Sequence, residues 1–196
     1  MSRKPWLWLL AGPNGAGKST YSPKFENIPV INTDEIAGKL SPSAPERAAF
    51  AAGRRSIALM RQYLRRKKSF AVETTLSGQL HIDAAEKASA EGWRVGLVYI
   101  GLASSRLAIE RVRQRQLAGG HGVPAADVHR RYERSLRRLP AAYRLADAVL
   151  IFDNSEPDPM KKVLEVRSGK IIFLARPAPK WLSRSLRPMR GSRRRV

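Results

Sequence analysis

A glycine-rich segment near the amino end carries the residue types that bind the phosphates of a nucleotide. Glycines at three of its positions permit positive φ and a close approach of the main chain, so that successive N–H groups form an anion nest. Lys18 supplies a cation for the outer phosphates, and the Ser19 hydroxyl is a ligand for Mg²⁺. The segment matches the Walker A pattern G-x-x-x-x-G-K-S and predicts binding of ATP with Mg²⁺. The expected nucleotide contacts are Gly12, Pro13, Asn14, Gly15, Ala16, Gly17, Lys18, Ser19 and Thr20.

Two carboxylates follow apolar runs and are candidates for chemistry beside such a phosphate site. Asp34 comes just after the apolar segment 28–32, and Glu73 ends the next apolar segment along the chain. At the carboxyl edge of a parallel sheet, Asp34 would accept the proton of an attacking hydroxyl. Its alternative role is the N-cap of the following helix, with Thr33 as a rival cap. Glu73, with Thr74 beside it, is expected to bind substrate hydroxyls or order Mg²⁺ through water, and its alternative role is a surface ion pair.

Arginines are concentrated in the predicted helix 104–117. They are Arg106, Arg111, Arg113 and Arg115. A transferring phosphoryl group spreads negative charge over three oxygens, and fixed guanidinium groups stabilise that charge. Arg115 lies four residues after Arg111 and shares its helix face, so these two are expected to act in catalysis. Arg130 and Arg131 on the next helix are weaker candidates, and a solvated basic helix is the alternative for all of them.

Strand-like and helix-like segments alternate along the chain. Apolar runs that indicate buried parallel strands lie at 6–11, 28–32, 69–73, 93–100 and 147–152. Helices are expected from Lys18 and over 45–68, 80–90, 104–117 and 124–139. This alternation predicts an α/β fold of the P-loop NTPase type, with a doubly wound, mostly parallel five-stranded sheet flanked by helices. Segments 163–166 and 170–174 are candidates for an edge hairpin.

The pattern of strands and helices stops near residue 175, which predicts a boundary. Residues 1–175 are expected to form one domain with a lid-like helical segment around 104–139. Residues 176–196 are expected to form a basic, disordered tail, since they hold eight basic residues and no acid. Tail cations interleaved with apolar residues predict contact with nucleic acid or an anionic membrane.

Composition limits the classes of function further. The net charge is +21 over 196 residues, so the body of the protein is basic as well as the tail and would attract polyanions. The absence of cysteine excludes a disulfide framework, a cysteine zinc site and a thiol nucleophile. The apolar run 6–11 is too short for a signal peptide or a membrane span, which favours a cytoplasmic location. Composition leaves the oligomeric state open.

Four segments of the chain, the loop 12–20 and the segments 32–35, 70–78 and 119–124, together resemble the zeta toxin family over about residues 6–155. Zeta toxins are P-loop kinases. The best known members phosphorylate a sugar hydroxyl of UDP-N-acetylglucosamine and are held inactive by a small antitoxin. The resemblance therefore implies an ATP-dependent kinase acting on a small hydroxyl-bearing molecule, with an antitoxin protein as a partner.

Matching positions imply particular roles within this resemblance. A phosphate-binding lysine, a catalytic base and a substrate-binding carboxylate are implied at Lys18, Asp34 and Glu73. The segment 110–112 resembles the first lid arginine segment and places Arg111 in it. Gly120 and His121 stand near the position of the second lid arginine, so Arg115 is expected to supply that charge and His121 to contact phosphate or substrate. By analogy with many P-loop kinases, the segment 153–155 is expected to contact adenine.

Other classes of protein share the phosphate loop. An ABC-type ATPase is disfavoured, because Leu76-Ser-Gly-Gln79 lacks a glycine of the signature sequence and no apolar strand ending in Asp-Glu follows closely. A GTPase is disfavoured because no Asn-Lys-x-Asp segment is present. A nucleic-acid-binding protein with a regulatory phosphate loop, or a polynucleotide kinase, remains open on the basic charge.

Overall fold

The fold is built around a central β-sheet, and the loops that follow its strands carry the candidate functional residues. The computed structural model describes residues 4–120, 122–157 and 159–187. The strands are β1 (Trp6–Ala11), β2 (Val30–Ile31), β3 (Phe70–Thr74), β4 (Arg94–Gly101), β5 (Ala148–Asp153), β6 (Lys161–Arg167) and β7 (Lys170–Leu174). They lie in the order β2-β3-β1-β4-β5-β6-β7. The pairings among the first five strands are parallel, and those of β6 with β5 and β7 are antiparallel.

The predicted α/β fold with a mostly parallel sheet is confirmed, but the predicted number of five strands is wrong. The candidate hairpin is an integral part of the sheet, because β6 continues the hydrogen-bond ladder of β5, with Val149 opposite Val166. Ser168 and Gly169 join β6 to β7 with φ values of 48° and 76°. Positive φ at both residues of a two-residue loop matches the right-handed twist of the strands, so a tight turn forms there.

Seven α-helices lie in the described part of the chain. They are α1 (Lys18–Tyr21), α2 (Thr33–Leu40), α3 (Ala49–Arg65), α4 (Leu80–Ala90), α5 (Ser105–Leu117), α6 (Ala125–Leu145) and α7 (Lys180–Leu186). Short 3₁₀ helices at Ser22–Lys24 and Pro45–Ala48 follow α1 and precede α3. Within the described ranges, none of the helices is long and apolar enough to cross a membrane.

Helix α6 extends beyond its predicted end at residue 139, since it continues through Pro140 to Leu145. A proline inside a helix removes one backbone donor and usually ends the helix. Here Leu139 and Ala142 are fully buried on either side of it. Their burial offsets the missing hydrogen bond, which explains why the sequence pattern placed the end too early.

The core has two parts, one on each face of the sheet. On one face, Leu7 and Leu9 of β1 pack in a cluster with Leu139 of α6. On the other face, Leu10 packs in a cluster with Val112 of α5. Successive side chains of a strand point to opposite faces, so a strand buried on both sides is continuously apolar. The helices on both faces hold the strand ends in fixed positions, and the loops that follow the strands carry the functional side chains.

The segment after residue 175 is not the structureless tail that its composition predicted, at least as far as residue 187. Helix α7 buries Trp181 and Leu182, which are 5% and 2% exposed. The indole of Trp181 lies over Gly101, where a Cβ would meet it at 2.2 Å, and its ring centroid is 5.9 Å from that of Tyr99. A glycine in β4 therefore makes room for the tryptophan. The rest of the predicted tail, 188–196, lies outside the described residues.

Candidate active site

A cleft of about 410 Å³ opens where β1, β2 and β3 end. The phosphate loop, the first turn of α2, the end of β3 and residues of α4, α5 and α6 form its walls. The structure brings most of the residues predicted from the sequence into this one cleft: Asn14, Gly15, Gly17, Lys18, Ser19, Thr20, Asp34, Glu73, Thr74, Arg111 and Arg115. Gly12, Pro13 and Ala16 do not line it, and His121 lies outside the described residues.

The phosphate loop is shaped by close main-chain contacts. At Gly12, φ is 147°, and a Cβ there would lie 2.2 Å from the carbonyl oxygen of Ile100. No other residue fits at that position, because the clash is with backbone. At the other end of the loop, the side chain of Asn154 donates a hydrogen bond of 2.9 Å to the carbonyl of Ala16. Ile100 and Asn154 thus hold the two ends of the loop in place.

The Lys18 ammonium lies inside the curve of the loop. Its Nζ donates a hydrogen bond of 3.0 Å to the Pro13 carbonyl and is 4.0 Å from Oε1 of Glu73. The side chain is 8% exposed. Burial lowers the pKa of Lys18, and the negative charges of Glu73 and Asp34 oppose that shift. A polyanion placed in the loop would add charge of the same favourable sign.

Glu73 is a half-buried carboxylate of the cleft, not the surface ion pair that was its alternative interpretation. Its side chain is 11% exposed, and Oε2 accepts a hydrogen bond of 3.0 Å from Nδ2 of Asn32. The Ser19 hydroxyl donates to both carboxylate oxygens at 3.4 Å. Burial raises the pKa of Glu73, while the nearby Lys18 lowers it. A substrate hydroxyl that donates to Glu73 would replace part of the lost hydration.

The N-cap of α2 is Asn32, so both predicted cap candidates, Asp34 and Thr33, are wrong. Oδ1 of Asn32 accepts from the backbone N–H groups of Asp34 at 3.0 Å and Glu35 at 3.3 Å. Thr33 instead donates its hydroxyl to Ser56 of α3 at 3.2 Å. With the cap supplied by Asn32, the carboxylate of Asp34 is exposed in the first helical turn and faces the cleft. A negative charge at that end of a helix is also stabilised by the helix dipole.

The arginines divide into those in the cleft and those on the surface. Arg111 and Arg115 line the cleft from α5, and Arg131 lines it from α6. Nη2 of Arg111 also donates to the carbonyls of Ser155 and Glu156 at 3.5 and 3.4 Å, which connects α5 to the loop after β5. Three arginines therefore line the same cleft as the phosphate loop and Asp34.

The other candidate arginines of this region do not line the cleft. Arg106 and Arg113 are exposed on α5 and fit the alternative interpretation of a solvated basic helix. Arg130 pairs with Asp127 at 2.7 Å on the surface of α6. The lid role of the segment 104–139 remains a prediction.

Sequence reasoning missed His81, which lies in the first turn of α4 and lines the cleft. Its Nδ1 lies 3.0 Å from the Thr74 hydroxyl, and that hydroxyl accepts a hydrogen bond of 3.0 Å from the backbone N–H of Leu76. Thr74 was predicted to bind substrate, yet its hydroxyl contacts protein on both sides and the residue is 8% exposed. Burial lowers the pKa of His81 to about 4. No spacing rule identifies this contact, because it depends on the chain reversal after β3.

The oxygen atoms near the phosphate loop suit Mg²⁺ bound with a nucleotide. Among the residues that the structure describes, no cluster of three or more His, Cys, Asp or Glu side chains would hold a metal ion alone. The Ser19 hydroxyl and the Glu73 carboxylate are adjacent hard donors. Mg²⁺ in kinase sites is typically held by one or two side chains, by waters and by the substrate phosphates. Ser19 and Glu73 fit that description.

The sequence of this chain is similar to a protein family and to a bacterial protein. A family model described as "AAA domain" matches residues 7–139. An uncharacterized protein of Haemophilus influenzae is 34% identical over 135 residues, which span 64% of this chain and 96% of that protein. The matched family region holds the phosphate loop, both carboxylates and all the cleft arginines.

Solved structures with the same fold include two from pairs of partner proteins. A chain of the AvrRxo1-ORF1:AvrRxo1-ORF2 complex, solved with ATP, is 19% identical with a TM-score of 0.67 over 87% of this chain. A protein of the PezAT toxin–antitoxin system of Streptococcus pneumoniae is 18% identical with a TM-score of 0.59, over 78% of this chain and 69% of that one. This chain spans 60% of the length of the matched chain of the AvrRxo1 complex. At such identities the likeness shows the fold alone.

Proposed function

The chain belongs to the AAA domain family, and on this premise we propose that it is an ATP-dependent phosphotransferase that moves the γ-phosphate of ATP to a hydroxyl of a small molecule. One observation carries the proposal: Asp34, released from capping by Asn32, faces the same cleft as Lys18. A phosphate loop alone would serve a hydrolase or a regulatory site equally well. A carboxylate in the same cleft adds a general base that can take the proton of an alcohol acceptor.

The reaction follows from the positions of these groups. Asp34 accepts the proton of the substrate hydroxyl as its oxygen attacks the γ-phosphorus. A new P–O bond to the substrate forms while the bond from the γ-phosphorus to the bridging oxygen breaks, and ADP leaves with that electron pair. Lys18, Arg111 and Arg115 stabilise the charge that spreads over the transferring group.

The phosphate loop and Lys18 would hold ATP, with the main-chain amides of 12–20 around the β- and γ-phosphates. Ser19 would be the side-chain ligand for Mg²⁺, with Glu73 beside it. Bound Mg²⁺ neutralises charge that develops on the phosphates. The ATP in the AvrRxo1 complex, one chain of which has the same fold, supports this choice of nucleotide. The segment 153–155 is proposed to lie near adenine.

In its more specific form, the proposal is that the acceptor is a substrate of the kind that zeta toxins phosphorylate. Glu73 would accept hydrogen bonds from hydroxyls of a nucleotide sugar such as UDP-N-acetylglucosamine, with His121 as a further contact. The likeness to the PezAT protein supports this choice, and it also supports a small antitoxin as a partner that keeps the enzyme inactive. Such an enzyme would act in the cytoplasm, where ATP and nucleotide sugars are present.

A polynucleotide acceptor is favoured by one observation, the net charge of +21. Long polyanions bind basic proteins through counterion release, so their phosphorylation would fall steeply as salt rises. A small acceptor would show little dependence on salt. Measuring phosphorylation at increasing salt concentration therefore distinguishes a polynucleotide acceptor from a small one.

The experiment incubates the protein with γ-labelled ATP, Mg²⁺ and a panel of acceptors: nucleotide sugars, nucleosides and 5′-hydroxyl oligonucleotides. Mass spectrometry then identifies which acceptor gains a phosphate. We expect transfer to a small acceptor, little change with salt, and no transfer by Lys18→Ala. The exposed Lys39→Ala, which loses only a surface pair with Glu35, is the matched control and should keep full activity. ATP turnover that releases only inorganic phosphate with every acceptor would contradict the proposal.

A further inference from the structure

The Thr74 hydroxyl contacts two groups of the protein, the backbone N–H of Leu76 and the ring of His81. Leu76 follows Thr74 with a φ of 55° and is completely buried. A bulky residue in this left-handed region is strained, so its conformation depends on surrounding contacts. One such contact is the hydrogen bond of 3.0 Å from the Leu76 N–H to the Thr74 hydroxyl oxygen. The hydroxyl proton of Thr74 therefore points elsewhere.

Nδ1 of His81 lies 3.0 Å from the hydroxyl oxygen, and the direction of this hydrogen bond depends on the tautomer of the ring. With the ring protonated on Nδ1, the hydroxyl oxygen would accept both hydrogen bonds and its own proton would have no acceptor among the described residues. With Nδ1 unprotonated, the hydroxyl donates to Nδ1 and all three groups are paired, so this is the arrangement that the contacts favour. A neutral imidazole then carries its proton on Nε2. Burial keeps the ring neutral, since it lowers the pKa of His81 to about 4. Within the described part of the chain, His81 makes no second hydrogen bond, and the ring lines the cleft.

We propose that His81 is a specificity-determining residue that donates a hydrogen bond from Nε2 to an unprotonated oxygen of the phosphate acceptor. The proposal rests on the function proposed above. Both Glu73 and His81 line the cleft, where Glu73 accepts hydrogen bonds and His81 donates one. Together they select a molecule that offers hydroxyl protons to Glu73 and a carbonyl or ether oxygen to His81. Sugars with a ring oxygen or an acylamino group have this chemistry, and simple alkyl alcohols do not.

A purely structural role for His81 would use a different ring nitrogen from a role in recognising the acceptor. Holding the Thr74 hydroxyl in place needs Nδ1 alone, whereas recognition of the acceptor needs Nε2. Substitution by asparagine or by glutamine separates the two roles, because the two side chains place their amide atoms at different distances from the backbone. The Oδ1 of asparagine takes the place of Nδ1, and the Nε2 of glutamine reaches the place of the histidine Nε2. Asparagine thus keeps the contact to Thr74, and glutamine keeps the donor to the cleft.

The test compares His81→Gln and His81→Asn in steady-state kinetics with the acceptor that the wild-type protein phosphorylates. We expect His81→Gln to keep the acceptor KM within about threefold. We expect His81→Asn to raise the acceptor KM by roughly tenfold, the size of one lost hydrogen bond, with an unchanged KM for ATP. The reverse order, with His81→Asn unaffected and His81→Gln impaired, would overturn the proposal, as would equal effects of both.

A second measurement does not depend on turnover. The chain has three histidines, so ¹⁵N-histidine NMR with the His81→Gln variant assigns the His81 ring. We expect a neutral ring with the proton on Nε2 between about pH 5.5 and 8, and a shift of the Nε2 signal when UDP-N-acetylglucosamine or another accepted sugar is added. A ring protonated on Nδ1 would overturn the inference even if the enzyme is a kinase. If the wild-type protein phosphorylates no acceptor, the proposed function fails, and this NMR result still decides the tautomer of His81.

Discussion

The side-chain amide of Asn32 donates a hydrogen bond of 3.0 Å to Oε2 of Glu73, and this contact joins the end of β2 to the end of β3. The other end of the same amide caps α2. One side chain therefore orients the Glu73 carboxylate and caps the helix that carries Asp34. Asn32 thus links the Glu73 carboxylate to the stretch of backbone that carries Asp34.

Arg115→Ala is expected to slow phosphoryl transfer by roughly a thousandfold or more, because a guanidinium group that stabilises a transferring phosphoryl group has an effect of that size. Arg113→Ala is the matched control. It lies on the same helix but is exposed outside the cleft, and its loss should change kcat less than about twofold. Single-turnover kinetics with saturating ATP would measure both. Equal rates for the two variants would remove Arg115 from the reaction.

Gly15→Ala is expected to weaken ATP binding and to lower stability by about 1–2 kcal/mol, the cost of placing an L residue in the left-handed region. Here φ is 73°, and a Cβ would lie 3.0 Å from the carbonyl oxygen of Ala108. Gly53→Ala in α3 meets no atom within 4 Å and should instead raise stability by about 0.5–1 kcal/mol. Urea unfolding and ATP titration of the two variants would check the prediction. A stabilising effect of Gly15→Ala would contradict it.

The phosphate loop and the strand ends could be predicted from the sequence because each has a local signal. The loop has fixed residue types, and helix α4 was predicted over 80–90, its observed bounds. The cap of α2 could not be predicted by the same rules, since Asn32, Thr33 and Asp34 are all good capping residues. The extended backbone of Asn32, with φ −117° and ψ 113°, decides among them. That conformation comes from the pairing of β2 with β3, which lies far away in the sequence.

The contact between Thr74 and His81 is also non-local in origin. It requires the left-handed conformation of Leu76, and a buried leucine does not indicate such a turn in any sequence pattern. The burial of Trp181 is similar, because the space for its ring is the missing side chain of Gly101. A basic, proline-containing segment therefore looked disordered while holding two core residues. Long-range packing, not local propensity, decides these features.

Trp181→Ala is expected to lower the free energy of unfolding by about 3–5 kcal/mol, because it leaves a large cavity against Tyr99 and Gly101. Truncation after Ala175 should cost at least as much, since it also removes Leu182. The exposed Lys180→Ala is the control and should change stability by less than about 0.5 kcal/mol. Urea denaturation would measure all three. A loss below about 1 kcal/mol for Trp181→Ala would show that α7 does not pack as described.

Acidification is expected to destabilise the protein through His81. Its pKa is about 4 in the folded state against 6.5 in a model peptide. Between these values the unfolded chain binds more protons, so stability rises with pH and is lost as pH falls below about 6.5. This group alone should make the protein about 2 kcal/mol less stable at pH 5 than at pH 7. Urea midpoints at the two pH values should differ less in His81→Gln, and an identical difference in variant and wild type would contradict the assignment.

The role of Asp34 as the base is best tested by Asp34→Asn, which removes the proposed base while keeping the shape of the side chain and the N–H that Asn32 caps. The measurement is phosphate transfer to the acceptor, in parallel with ATP affinity, and Glu35→Gln serves as the neighbouring control. We predict that Asp34→Asn binds ATP with near-normal affinity and loses transfer by roughly a hundredfold to ten-thousandfold, the usual contribution of a general base. We predict that Glu35→Gln stays active. Transfer by Asp34→Asn at the wild-type rate would contradict the account.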